Sequence, residues 1–280
     1  MKQCIPICTI FLFIFLFSCT KNNFFQVYKV TPISKISVKQ SELVYDDDNC
    51  KIIYNLWEDG GNIGFVFYNK TDKNIYLNLD ESFFVLNGVA NNYYKSRTFT
   101  SSSSLGATSS RSTSASKSVT GVNVYGLIQT NRISATSTIG VIESEGFSVS
   151  YLEERIICIP AKTSKSIAEY KINGSLFRNC ELLRFPLPRQ AKTIKLTKTE
   201  SPMVFSNRLS YSFGRNDVLI KVQNEFYVSE ITNYPEREMY TKQYEESCGK
   251  RSLKPVLYFS HESADKFYLK YTKGSDASKY

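Results

Sequence analysis

The sequence predicts a mainly β fold, an antiparallel β-sandwich, on three observations. Between Lys51 and Gly88 the runs KIIYNLW, IGFVFYN, NIYLNLD and SFFVLNG, rich in Ile, Val, Tyr and Phe, alternate with Gly-, Asn- and Asp-bearing turns. A spacing of about eight to twelve residues between turns is that of sandwich strands. No window of the chain sustains a 3.6-residue apolar period, which a helical fold would show. The 280 residues are 42% hydrophobic and 14% aromatic, enough apolar surface to build a core and to exclude a wholly disordered chain.

Taken in order, residues 24–40 alternate apolar and polar side chains and predict one or two strands. Asp46-Asp47-Asp48-Asn49 is a turn signal. It lacks the spaced ligands and following Gly of a calcium loop, so no metal is expected there. Gly60-Gly61 reads as a hairpin turn, Asn69 to Lys73 as a short hairpin connection, and Asp80-Glu81 as a strand-end turn. From Thr100 to Thr120, 14 of 21 residues are Ser or Thr. Such a stretch buries too little to order itself, so residues 98–118 read as a flexible loop. Residues 119–142 alternate again on both sides of Gln129 to Arg132 and predict a hairpin with one apolar and one small, polar face. Strand-like runs resume at Arg155 to Ile159, Lys165 to Ile172, Thr193 to Thr197, Arg208 to Phe213, Val218 to Thr232 and Lys266 to Thr272. The stretch Pro235 to Cys248 is the best helix candidate. The expected organisation is a sandwich over 51–235 with a Ser/Thr-rich insertion at about 98–142 and a C-terminal extension at 236–280. Two packed β domains split near 175–200 are the alternative.

The N-terminus carries a separate message. Lys2 precedes the apolar run Ile5 to Phe17, which is too short for a comfortable transmembrane helix and suits an export signal. Leu16-Phe17-Ser18-Cys19 resembles the lipobox of bacterial lipoproteins. The resemblance implies a signal peptide at 1–18, palmitate-type acyl chains on Cys19, and an anchor-proximal segment over 19–50. Several acyl chains on one residue hold a protein on a membrane, at about 0.8 kcal/mol per buried methylene. No acidic residue follows Cys19 directly. The expected location is therefore a membrane-anchored lipoprotein of the bacterial envelope, facing the periplasm, with surface display left open.

The segments Gly64 to Asp72, Ser82 to Gly88, Ile159 to Ser164 and Asn224 to Ile231 are similar to uncharacterised Bacteroidetes-type lipoproteins with immunoglobulin-like sandwiches. That resemblance implies an immunoglobulin-like fold for roughly residues 50–235. The matched segments are strand and turn punctuation, so it implies no activity.

The formal net charge is +9, unevenly spread. From Ser82 to Ile142 there is no Asp or Glu, whereas Lys95, Arg97, Arg111, Lys117 and Arg132 are present. A basic patch of this kind suits anionic lipid, acidic glycan or an acidic protein; nucleic acid does not fit an exported chain. Of seven Cys, Cys4 and Cys8 lie in the signal and Cys19 is the lipid site, leaving Cys50, Cys158, Cys180 and Cys248 as free thiols or bridges.

Chemistry is thin. The one histidine, His261, has no neighbouring nucleophile in sequence, and no C-x-x-C spacing suggests zinc or redox work. Glu143, Glu145, Glu153, Glu154, Glu225 and Glu230 supply carboxylates of the kind a glycosidase pairs. Exposed aromatics, Trp57, Tyr93 and Tyr94 among them, suit a platform that stacks on sugar rings. The expected function is a non-enzymatic interaction or scaffold module of the envelope, without cofactor, that uses Trp57, Tyr93, Tyr94, Arg97, Arg111, Lys117 and Arg132. A glycan-binding module and a membrane-perturbing protein that uses the 119–142 hairpin are the alternatives.

Overall fold

A computed structural model describes residues 22–39, 41–104, 146–215 and 217–274. The chain is mainly β, with antiparallel sheets. In chain order the strands are β1 (Asn23–Pro32), β2 (Ile36–Val38), β3 (Leu43–Asp46), β4 (Cys50–Tyr54), β5 (Phe65–Asn69), β6 (Ile75–Leu86) and β7 (Val89–Asn92). They continue with β8 (Thr98–Ser104), β9 (Gly146–Leu152), β10 (Ile156–Ile159), β11 (Ser164–Ile167), β12 (Thr193–Lys195) and β13 (Val204–Ser212). The last are β14 (Ile220–Pro235), β15 (Tyr240–Gln243), β16 (Glu246–Ser247), β17 (Lys250–Arg251), β18 (Val256–Phe259) and β19 (Lys266–Thr272).

A curled, eight-stranded sheet runs β10-β6-β13-β14-β1-β19, with β7 added beside β6 and β12 beside β14. A five-stranded sheet runs β11-β5-β4-β3-β2. The alternation in β4 and β5 explains how the sheets share one core. Cys50, Ile52 and Tyr54, with Phe65 and Phe67, point inward, and their sequence neighbours stay half-exposed. Opposite them stand Phe205, Leu209 and Tyr211 of β13 and Phe226 and Val228 of β14. Tyr54 meets Phe226 edge-on at 5.5 Å, and Phe67 meets Tyr211 at 5.6 Å. A polar seam crosses this interior: the Asn224 amide donates to Tyr54 Oη at 2.8 Å, and the Tyr93 hydroxyl donates to Asn207 Oδ1 at 2.7 Å. Buried polar groups must be paired in this way to be tolerated.

The segments expected to lie outside the 51–235 unit supply strands to both sheets. β1 lies between β14 and β19 in the large sheet, and β2 and β3 belong to the small one. Boundaries at residues 50 and 235 therefore separate no folded body. The physical reason is edge protection: without β1, β14 from Phe226 to Pro235 would expose unpaired backbone on one side. The same core also draws on both sides of 175–200, from Ile159 and Ile172 to Met203 and Phe205.

Three local expectations change. Asp80-Glu81 does not end a strand; β6 runs through it as twelve residues with a register shift opposite Arg208 to Ser210. Asn78 absorbs the irregularity, its Oδ1 accepting from the Glu81 amide and its carbonyl from the Ser82 hydroxyl. The helix expected over 235–248 is one turn, Glu236–Met239. Met239 is drawn into an aromatic cluster, and the next residues pair as β15 with β18. Residues 98–104, expected as loop, are strand β8, paired with β9 in a two-stranded ribbon separate from both sheets. The hairpin expected at 119–142 lies outside the described residues. The Gly60-Gly61 turn is present, with positive φ at both residues. A Cβ on Gly61 would come within 2.9 Å of the Phe267 ring.

Candidate functional site

The ribbon β8/β9 leaves the body at a charged clamp. After β7 the chain folds back across β6: the Tyr93 amide donates to the Ser82 carbonyl at 3.1 Å and the Tyr94 amide to that of Leu79 at 3.3 Å. This places Lys95 and Arg97 beside Glu153, which follows β9, and Glu169, which follows β11. The Arg97 guanidinium donates to Glu153 through Nε and Nη2. It also donates to Glu169 through Nη1 at 2.7 Å and Nη2 at 3.1 Å. Glu153 Oε2 accepts from the amides of Lys95 and Arg97, at 2.8 and 3.1 Å. Lys95 Nζ completes the cluster 2.8 Å from Glu169 and sits 4.4 Å over the Tyr170 ring.

The Glu153 side chain is only 7% exposed, so its charge is well shielded. Burial raises its pKa, but the Arg97 guanidinium and the two amides outweigh that and hold the carboxyl below its ordinary range. At Glu169, too, burial is outweighed by Arg97 and Lys95, and the carboxyl is lowered. The clamp thus joins the ribbon to the turn over the large sheet and to the end of a small-sheet strand. The Glu153 amide donates to the Arg97 carbonyl at 2.8 Å, so the two ends of the insertion meet. Beyond the clamp the ribbon presents aromatic surface. Phe99 and Tyr151 stack at 5.2 Å, Arg97 lies over Phe99, and Tyr151 and Leu152 are exposed.

The residues singled out from sequence do not form one site. Tyr93 is a core residue, 2% exposed, and offers no ring to a ligand. Trp57 sits on the other face of the large sheet, against Phe259 and Tyr268, with its buried Nε1 unpartnered. Tyr94 is half-buried beneath Arg155. Arg97 is committed to the clamp. Arg111, Lys117, Arg132 and Cys19 lie outside the described residues. The local excess of base at Lys95 and Arg97 is offset by acids that come from beyond the acid-free interval. The stacked Phe99 and Tyr151 and the carboxylate Glu169 were missed. Only strand alternation continuing into the Ser/Thr run would have pointed to the first two.

The other carboxylates are dispersed. Glu225 pairs with Lys198 and Glu230 with Lys29, while Glu143 and Glu145 lie outside the described residues. His261 stacks on Tyr234 at 4.2 Å beside a cavity of about 60 Å³. Burial, and then the charge of Lys266, lower its pKa. A larger cavity of about 220 Å³ lies among Gln26, Phe177, Leu182, Asn233 and Tyr271. Cys50 is a buried thiol, and Cys158, Cys180 and Cys248 are exposed thiols. Among the described residues no group of three or more His, Cys, Asp or Glu can hold a metal ion, and no helix is long and apolar enough to cross a membrane. No protein-family model, curated protein or solved structure matches the chain.

Proposed function

We propose that the chain is a lipid-anchored module of the bacterial cell envelope that works by binding another envelope protein. Its fold is read as an immunoglobulin-like sandwich, and Cys19 as its lipid attachment site. One observation carries the binding reading: the insertion rises from the body as a separate ribbon whose base is fixed by Arg97, Glu153 and Glu169. A fixed base pre-organises what the ribbon presents, which lowers the ordering cost of docking. The exposed aromatic and apolar residues Phe99, Tyr151 and Leu152 are of the kinds that anchor protein interfaces.

The test is crosslinking in intact membranes. The full chain is compared with a chain in which residues 98–152 are replaced by a short turn joining Arg97 to Glu153. A discrete partner captured by the first and lost in the second supports the reading. The same captured set from both chains removes it.

A further inference from the structure

We infer that one end of the large sheet is a bilayer-facing surface that recognises anionic headgroups; this rests on the anchoring at Cys19 proposed above. Cys19 precedes the first described residue, Asn22, by three residues, and each residue spans at most about 3.6 Å, so an anchor at Cys19 would act within roughly 11 Å of this strand end. Acyl chains on Cys19 would hold this end of β1, and its neighbours at the ends of β14 and β19, against the membrane.

Those neighbours carry the matching chemistry. The loop 176–192 is seated over this end of the sheet. The Gln26 amide donates to the Phe177 carbonyl at 2.9 Å and accepts from the Phe177 amide at 2.7 Å. Asn233 donates to the Leu183 carbonyl, and the Tyr271 hydroxyl to that of Arg184. Phe185 packs 5.1 Å from Phe24. These bonds fix the loop. So fixed, it leaves Leu183 and Leu187 outward, 52% and 66% exposed. Single exposed leucines are common and mean little. Here the two flank Arg184 in sequence, Arg184 and Lys273 both lie over the Phe185 ring, and Arg189 belongs to the same loop. Two acids at this end are engaged: Glu181 holds Lys192, and Glu236 accepts from Asn23 and faces Lys270. Exposed leucines beside cations gathered on an aromatic ring are the pattern of a peripheral membrane surface.

The full chain is placed with vesicles of phosphatidylcholine alone, or with roughly one-third phosphatidylglycerol, and amide exchange is followed. The expected result is slower exchange at 181–192 and 269–273 in the anionic vesicles, with the β13–β14 turn at the far end unchanged. In R189E/K273E the slowing should fall by roughly fivefold or more per charge removed. Equal exchange in both vesicle types, equal slowing at the far turn, or an R189E/K273E chain identical to wild type would overturn the inference. The anchor is read separately, as incorporation of an alkyne fatty acid into wild type and its loss in C19S. An unlabelled wild type defeats the anchor alone and leaves the vesicle exchange to judge the surface.

Discussion

Strand β1 and the ribbon β8/β9 are both antiparallel β structure, yet they are held in opposite ways. β1 is paired on both edges and covered on both faces, with every residue from Phe24 to Tyr28 buried. One face meets the main core through Tyr28 and Val30. The other meets Met239, Tyr240 and Phe259 through Phe25 and Val27. β8 and β9 pair only with each other, and one ion cluster holds them at one end. The contrast separates two sources of order. Burial makes β1 inseparable from global stability, whereas a handful of charges makes the ribbon's order local. A substitution in the first should melt the molecule, and one in the second should loosen a part of it.

The largest effect is expected at β1. Tyr28 is fully buried, stacks on Phe267 at 4.6 Å, and its hydroxyl donates to Gln26. Tyr28→Ala removes a large core ring and should cost about 4 kcal/mol of global stability. Chemical denaturation reads this, with every probe shifting together. A shift confined to one region would mean that β1 is not part of the global unit.

Next comes Arg97→Ala. It leaves Glu153, almost fully shielded, without its cation. Breaking a buried pair costs 3–5 kcal/mol and an exposed pair close to nothing. Arg97 is itself 36% exposed, which puts the effect between these limits, at about 2 kcal/mol. The loss should be local. Amide exchange in β8 and β9 should quicken roughly thirtyfold while β13 and β14 hold their protection. Equal quickening throughout would make the clamp part of the core and erase the contrast.

A milder opening of the same clamp is expected from acid. Glu153 and Glu169 both titrate below the usual carboxylate range when folded. Their stabilising effect is therefore complete above the unfolded pKa of about 4.3 and is lost as pH falls through the lowered folded values. Ribbon protection, corrected for intrinsic exchange, should be flat from neutral pH down to about 5 and fall below about 4. Protection lost on raising the pH instead would assign the clamp to some other titrating group.

The same contrast explains what could be read from sequence. β4 and β5 were legible because each has one face in the core and one toward solvent, and half-burial writes a period of two into the residues. β1 was harder to place. Its alternation marks a strand but not its partners, since both faces are covered, and its one polar core residue, Gln26, is matched by Asn233 and by the Phe177 backbone, both far away in sequence. The continuity of β6 was hidden because Asp80-Glu81 looks like a turn until Asn78 and Ser82 are seen to bridge it. The strand β8 was hidden by its composition, since Ser and Thr signal disorder by bulk yet pair readily when β9 is opposite. The clamp was out of reach. Charge along the sequence gives the sign of a segment, and Arg97, Glu153 and Glu169 meet only through the fold.

The smallest effect is the most telling. If the ribbon contributes only local order, a chain with residues 98–152 replaced by a short turn should keep the stability of the full body. The insertion ends already meet, with the Glu153 amide bonded to the Arg97 carbonyl, so a turn closes the gap without moving either. The clamp can also survive, because Arg97, Glu153 and Glu169 all lie outside the excised segment. The shorter closed loop even favours folding slightly, since loop-closure entropy grows with length by about 0.6 kcal/mol per doubling. The expected outcome is a denaturation midpoint within about 0.5 kcal/mol of the full chain, which is the ordinary scatter of surface changes. A loss of several kcal/mol would show that the insertion braces the body, and the ribbon would then have to be understood as structure rather than as an arm the body carries.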